Sequence, residues 1–338
     1  MFIHIKDELR FQHCSRGTNG LARFLACKTL PKAFSSVRLN SQALTPSFKM
    51  AEKRLAVVTG ANKGIGFEIC RQLLATNGII VVLTARDENK GLEAVEKLKN
   101  SGLSDVVFHQ LDVMDPASIS SMADFIKTQF GKLDILVNNA GVVAVKIDDD
   151  DYKTLMSVEG PPEVRLAKCK ELITQSPELA KECLQANYYG AKRVTTSLLP
   201  LLQLSDSPRI VNVSSSAGKL QNVPFASAKE VLSNEDGLTE EKVDKALEKF
   251  LNDFKESKGW PAYNMSKAAM NAYTRILAKK FPEFRINCVC PGFVKTEINF
   301  NIGHFTVEEG AAGPVKLALL SDEGPSGLFF FQKEVSTF

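Results

Sequence analysis

The stretch Tyr263-Asn-Met-Ser-Lys267 is the part of this sequence best equipped for chemistry. A phenol and an amine at i and i+4 share one helical face. An ammonium held beside a phenol favours phenolate, so Tyr263 is expected to titrate below its ordinary value of ~10, towards working pH. That makes it a candidate general acid or base. A surface pair without a role has the same spacing; here the pair opens a helical run directly after a long polar segment. Ser214, Ser215 and Ser216 follow an apolar run, where a hydroxyl could hydrogen-bond a substrate carbonyl, or simply belong to a polar loop. Asn138-Asn139-Ala140-Gly141 closes another apolar run with small and amide side chains that allow close approach of a ligand. Asn187 is an amide within a helical run, able to hold a water, a backbone kink or an ordinary buried hydrogen bond.

A second constellation lies upstream. Leu55–Gly66 reads LAVVTGANKGIG: a β-branched apolar run, a turn with three glycines, and a helix start. Glycine lets the backbone turn sharply and come close to a ligand. The N–H groups of the helix start, with the helix dipole, favour an anion. Gly60, Asn62, Lys63, Gly64, Ile65 and Gly66 would then line a site for a dinucleotide pyrophosphate. The spacing is Gly-x3-Gly-x-Gly rather than Gly-x-Gly-x-x-Gly. It is not a P-loop, since no Gly-Lys-Ser/Thr follows.

These residues need a scaffold, and the chain supplies one by alternation. Strands are expected at Leu55–Thr59, Ile79–Thr84, Val106–Gln110, Leu133–Asn138, Arg209–Ser214, Arg285–Val289 and Leu328–Phe331. Helices are expected at Ile65–Thr76, Lys90–Asn100, Pro116–Phe130, Leu184–Leu202 (ending near Pro200) and Pro261–Lys280. Strands that are apolar throughout are buried on both faces, and βαβ units with right-handed crossovers give an α/β, doubly wound parallel sheet. Two segments interrupt the rhythm, 143–183 and 219–259. The first carries the acidic run Asp148–Asp151, expected to be solvated or to start a helix; the second carries a helical pattern over Leu238–Phe254. Both leave the carboxyl ends of strands, where ligands bind in open α/β sheets, and loops of such length are often functional.

Composition removes several classes. The apolar share of 44% is that of a globular protein with a sizeable core. Residues 1–50 hold eight Lys/Arg and two acids, so the remainder carries a net −3 and offers no electrostatic case for nucleic acid. Seven scattered cysteines, none in Cys-x-x-Cys, read as reduced thiols in a reducing, cytoplasmic setting, and four histidines, none near a Cys cluster, give no metal site. No run has transmembrane length. Residues 1–49 are expected to be a disordered extension, with Met50 as a natural start, an organelle-targeting segment being the alternative. One domain is expected over residues 50–338.

The motifs TGANKGIG (59–66), Leu111-Asp112-Val113, NNAG (138–141), Asn187, VNVSS (211–215), YNMSK (263–267) and Pro291-Gly292 occur in one order. Together they resemble the short-chain dehydrogenase/reductase family over residues 53–338. The long insertions, with LLPLLQLSDSPRIVNVSSSAG and GPSGLFFFQKEVSTF, resemble its plant salutaridine reductase and menthone/neomenthol reductase branch. The resemblance implies a Rossmann fold and a catalytic set of Tyr263 as proton donor, Lys267, Ser215 (Ser216 as fallback) and Asn187, the last in a water-linked relay. Ser215 and Tyr263 would meet the substrate. Asp112 and Val113 would flank adenine, Asn139 the adenosine ribose, and Val294 and Thr296 the nicotinamide carboxamide, with Lys267 on the nicotinamide ribose.

The cofactor can be read from charge. NAD sites place an acid at the end of the second strand; here stands Arg86, a fork for phosphate, and Lys63 adds a second cation. Both favour NADPH, against Asp87 one residue late. The expected activity is reduction of a ketone, on a bulky alicyclic substrate of terpenoid or alkaloid type. Segment 219–259, with Trp260, Phe225 and Phe293, is expected to wall the pocket. The alternatives are a reductase of small aldehydes and ketones, and a non-catalytic cofactor sensor. A monomer is expected, because in this branch the first insertion packs where relatives pair subunits.

Overall fold

The computed structural model describes residues 53–234 and 236–338, so the expectations for residues 1–49 and for a start at Met50 lie outside the described residues. The chain runs β1 (Arg54–Val58), α1 (Gly64–Leu74), β2 (Ile79–Ala85), α2 (Glu88–Asn100), β3 (Val106–Gln110), α3 (Pro116–Gln129) and β4 (Ile135–Asn138). The first insertion follows as α4 (Asp149–Ser157), α5 (Pro162–Leu172) and β5 (Thr174–Gln175). Next come α6 (Pro177–Leu184), a π-helical turn (Gln185–Gly190), α7 (Ala191–Leu202) and β6 (Arg209–Val213). The second insertion holds α8 (Ala226–Ser233), α9 (Glu240–Asp253) and β7 (Ser257–Lys258). The chain ends with α10 (Pro261–Lys280), β8 (Arg285–Cys290), α11 (Val307–Ala318), β9 (Phe329–Phe331) and β10 (Glu334–Ser336).

Eight strands form one sheet in the order β10-β9-β8-β6-β4-β1-β2-β3, parallel except for the final β9–β10 pair. This is a Rossmann-like doubly wound sheet. Successive strand residues feed opposite layers. Leu55, Val57, Leu136 and Ile210 pack with α3, α6, α7 and α10. Ala56, Val58, Val137 and Val211 pack with α1, α2 and α11. That two-residue alternation is why the strands read as continuously apolar. The strand order reverses between β1 and β4, which opens a crevice beyond their carboxyl ends.

Most helix starts are fixed by a polar cap. Asp87, Asp115, Ser176 and Thr239 each accept a backbone N–H in the first turn of α2, α3, α6 and α9. Asp148 does the same for α4, and Asp149, Asp150 and Asp151 fill its first turn, complementing the dipole.

Some boundaries differ from expectation. The helix expected at Leu184 starts at Pro177, so the first insertion ends earlier, and it passes through a π turn centred on the buried Asn187. Helix α7 does end at Leu202, as expected, with Pro200 inside its last turn. Helices α8 and α11 and the terminal β10 were not legible as elements; α8 and β10 are short, and α11 carries Pro314 within it.

The turn from β1 into α1 is tightly packed. A Cβ on Gly66 would lie 2.4 Å from Asn139 Nδ2, 2.7 Å from the Gly60 carbonyl oxygen and 2.9 Å from Ala61 Cα. Two of these are backbone and cannot swing aside. Gly66→Ala is therefore expected to cost about 1–3 kcal/mol as an overpacked site, read as a lower denaturant midpoint at unchanged slope; a midpoint equal to the parent's would show that the turn relaxes freely.

Candidate active site

A cleft of about 1040 Å³ opens at the crevice. Every residue to which the family resemblance gives a cofactor or substrate contact lies on its wall; Asn187 and the expected wall residue Phe225 do not. Its floor is the start of α10 beside the end of β6.

Lys267 is buried and donates to the Val213 carbonyl at 2.8 Å. Tyr263, one turn earlier, is partly buried, and the nearby Ser215 hydroxyl favours its phenolate. Ser215 also accepts from the Ala217 N–H at 3.1 Å, which fixes its side chain at the start of a short 3-10 turn. Ser214 is engaged elsewhere: its hydroxyl donates to Asn271 Oδ1 at 2.6 Å. Ser216 lies on the wall, with its carbonyl held by Asn222. Ser215 is thus the serine presented to Tyr263.

The expected lowering of the Tyr263 phenol is corrected. Burial, only partly offset by the Ser215 hydroxyl, pushes it well above its ordinary value. The same burial brings Lys267 down to about 8. The ammonium lies 5.7 Å from the centre of the phenol ring and is turned to the Val213 carbonyl. Desolvation, which disfavours the charged form of each group, therefore outweighs their attraction.

Asn187 is fully buried with its amide saturated. Its Oδ1 accepts from the Val142 N–H at 2.7 Å, and its Nδ2 donates to the Val142 carbonyl at 2.8 Å and to Ser266 Oγ at 2.9 Å. It braces the wall residue Val142 against α10. π turns often mark functional segments.

At the other end, α1 begins after Lys63 with no side-chain cap and no acid in its first turn, unlike the capped helices α2, α3, α6 and α9. That start suits an anion, and with the glycine turn the residues present fit a dinucleotide. Gly64 faces Thr296 across the cleft, a Cβ there lying 3.6 Å from Thr296 Cγ2. Asn139 donates to the Thr59 and Gly60 carbonyls at 2.9 and 3.0 Å, so its amide shapes the glycine turn. Asp112 accepts from the Met114 N–H at 2.8 Å and leads Val113 onto the wall. Val294 is buried, its carbonyl held by Asn299 at 2.7 Å.

Arg86 is exposed at the end of β2. Asp87, the residue that argued against a phosphate, caps α2 by accepting from the Lys90 N–H at 3.0 Å, a bond that holds its carboxyl below the usual range. Lys63 is ion-paired with Glu297 across the cleft, a pairing the sequence did not suggest.

The roof corrects a further expectation. Among the described residues of segment 219–259, Asn222 alone lies on the wall; Phe225 packs against Phe250 at 5.0 Å, behind α10. Trp260 and Phe293 do line the cleft. The first insertion faces them with Leu166, Cys169 and Lys170 of α5, and the Lys170 ammonium stands 5.5 Å over the Trp260 ring. Phe300 and Ile302, after β8, complete this small apolar cluster. Their only sequence signal was an apolar residue recurring in an otherwise polar stretch.

Among the described residues no group of His, Cys, Asp and Glu is arranged to hold a metal ion, and no helix is long and apolar enough to cross a membrane.

A family model described as short chain dehydrogenase matches residues 54–231, and one described as Enoyl-(Acyl carrier protein) reductase matches residues 252–315. The chain is 57% identical to salutaridine reductase of Papaver somniferum over 304 residues, 86% of this chain and 97% of that protein. It is 58% identical to (+)-neomenthol dehydrogenase of Arabidopsis thaliana over 303 residues, 86% of this chain and all of that one. The solved structure of salutaridine reductase from Papaver somniferum superposes with a TM-score of 0.77 over 82% of this chain and 99% of that one. An NADPH-bound carbonyl reductase from chicken fatty liver, 25% identical, superposes with a TM-score of 0.59 over 85% of this chain and all of that one.

Proposed function

This chain belongs to the short-chain dehydrogenase/reductase family, an oxidoreductase acting on carbonyl or CH–OH groups, and we propose that it uses NADPH to reduce the ketone of a bulky alicyclic substrate. The observation that carries the reading is the cluster Ser215–Tyr263–Lys267 at the floor of a cleft whose far end is an uncapped helix start. The relatives named for salutaridine and neomenthol support the substrate class.

Gly60, Asn62, Lys63, Gly64, Ile65 and Gly66 would hold the pyrophosphate, Asp112, Val113 and Asn139 the adenosine, and Val294, Thr296 and Lys267 the nicotinamide half. Bound there, the nicotinamide supplies the hydride that forms the new C–H bond. Ser215 would donate a hydrogen bond to the substrate carbonyl and orient it. Tyr263 would then give its hydroxyl proton to the carbonyl oxygen: its O–H bond breaks, a new O–H bond forms on the product, and a phenolate remains. An upward-shifted phenol suits this role, because the group stays protonated through neutral pH. Lys267 would stabilise the phenolate that follows. Asn187 would keep Val142 and α10 in place and serve the relay that returns the proton. Arg86 would take the 2′-phosphate with its planar fork, Lys63 joining it by exchanging its bond to Glu297.

The alternative of a small-aldehyde reductase has less support, since Leu166, Trp260, Phe293 and Ile302 build a wide apolar roof. We further propose a monomer acting in the cytoplasm, the first insertion occupying the face that the family resemblance assigns to subunit pairing.

A panel assay at 340 nm tests the reading: menthone and related cyclic ketones are expected to outpace simple aldehydes and quinones. Tyr263→Phe is expected to lower kcat by ~10²–10⁴-fold with NADPH affinity kept; loss of NADPH binding with chemistry intact would contradict the assignment. Replacing Arg86 by alanine should weaken NADPH by about tenfold to a hundredfold, the scale of a charge-assisted bond, and leave NADH unaffected. Equal losses for both cofactors would point to a folding defect instead. Lys267 adds a pH dependence. Below about 8 its amine is charged in the free protein, while above that it must take up a proton to meet an anionic ligand. NADPH affinity is therefore expected to be highest below about 8 and to fall by up to ~tenfold per pH unit above it. A flat profile to pH 9.5 would show that the amine stays charged.

A further inference from the structure

Gln175 lies in none of the motifs that carry the resemblance, yet it is fully buried where three segments meet. It ends β5, the short strand that closes the first insertion, and pairs with Ser257 of β7. Its Nε2 donates to the Val143 carbonyl at 3.0 Å and the Ala144 carbonyl at 2.9 Å. Its Oε1 accepts from the Ala262 N–H at 2.9 Å.

Both ends touch parts of the site. Val143 is on the cleft wall. Ala144 has φ of +52°, a left-handed conformation that a residue with a Cβ keeps only where its surroundings impose it. Gln175 imposes it together with the neighbouring Lys146–Thr174 backbone pair, bonded at 2.7 and 2.9 Å. At the opposite end, α10 begins after Trp260, whose side chain makes no cap. The Ala262 N–H is one of the donors a helix start leaves without an intrahelical partner. A side chain 87 residues away in sequence answers it. The next residue is Tyr263. Only a primary amide of this length donates twice and accepts once here; a carboxylate cannot donate, and asparagine is a methylene shorter.

We propose that Gln175 is a positioning residue for the proton transfer, its amide tying the first turn of the Tyr263 helix to the cleft wall at Val143 and Ala144. The inference rests on the reading of Tyr263 as proton donor. By it the first insertion both roofs the cleft and sets the register between phenol and substrate.

Two variants and a native reporter test it. Trp260 is the sole tryptophan of the chain and begins the same helix turn. Gln175→Met keeps the side-chain length and removes all three bonds. It is expected to lower kcat for menthone, or for the fastest ketone of the panel above, by ~10–100-fold through misplacement, to leave the NADPH dissociation constant unchanged and to shift Trp260 emission. Gln175→Glu, protonated at this buried position, keeps the acceptor for Ala262 and one of the two donors. It is expected to restore the Trp260 emission and part of kcat while raising the ketone KM. Tyr263→Phe, run alongside, separates the two readings. Normal turnover in Tyr263→Phe overturns the donor assignment. Normal turnover and emission in Gln175→Met, with Tyr263→Phe inactive, overturns the role of Gln175 alone. Should neither Gln175 variant fold, the residue is structural only and the proposal fails.

Discussion

The site depends on how closely α10 approaches the end of β6. A Cβ on Gly218 would lie 2.5 Å from the Lys267 carbonyl carbon and 2.7 Å from the Ala268 nitrogen, so no other residue allows that contact. The close approach is then secured by polar bonds. Asn212 donates to Thr274 at 2.9 Å, Ser214 to Asn271 at 2.6 Å, Asn271 to the Gly218 carbonyl at 3.1 Å, and Lys267 to Val213 at 2.8 Å. All are buried, where a bond is strong and a missing partner costly. The helix is fixed in rotation as well as position. Tyr263, one turn before Lys267, therefore falls beside Ser215.

That packing also sets the electrostatics. Removing water from the start of α10 raises the phenol and lowers the amine together. The effects are complementary for reduction: the phenol keeps its proton until an alkoxide forms, and the amine is held near its titration point. A fully solvated pair would be a weaker device, with an ammonium screened by water and a phenol competing with it for hydrogen bonds.

Much of this was legible because it is local. Strands buried on both faces are apolar throughout; helix starts were less exact, α3 opening at Pro116 as expected but α2 and α9 opening after their caps Asp87 and Thr239 rather than at Lys90 and Leu238. The cleft residues sit at strand ends, which sequence order alone locates. What was hidden is tertiary. The Lys63–Glu297 pair joins residues 234 apart, and Gln175 reaches Ala262 across a whole subfold. The sign of the Tyr263 shift depended on how deeply the pair is buried, and spacing carries no such information. The π turn at Asn187 has a helical pattern like any other until its extra residue is counted in space.

The exchange of roles between the two insertions has a simple cause. Helix α9 carries a full apolar stripe, Val243, Leu247 and Phe250, and all three are buried in the core against α6 and α10. A stripe of that strength must be covered, and the nearest cover is the back of α10, away from the cleft. Helix α5 has only Cys169 fully buried, with Leu166 part-exposed beside it. It cannot join the core and has apolar surface to offer a ligand. Of two segments leaving the same sheet edge, the more amphipathic is absorbed by the core and the less amphipathic is left to roof the site.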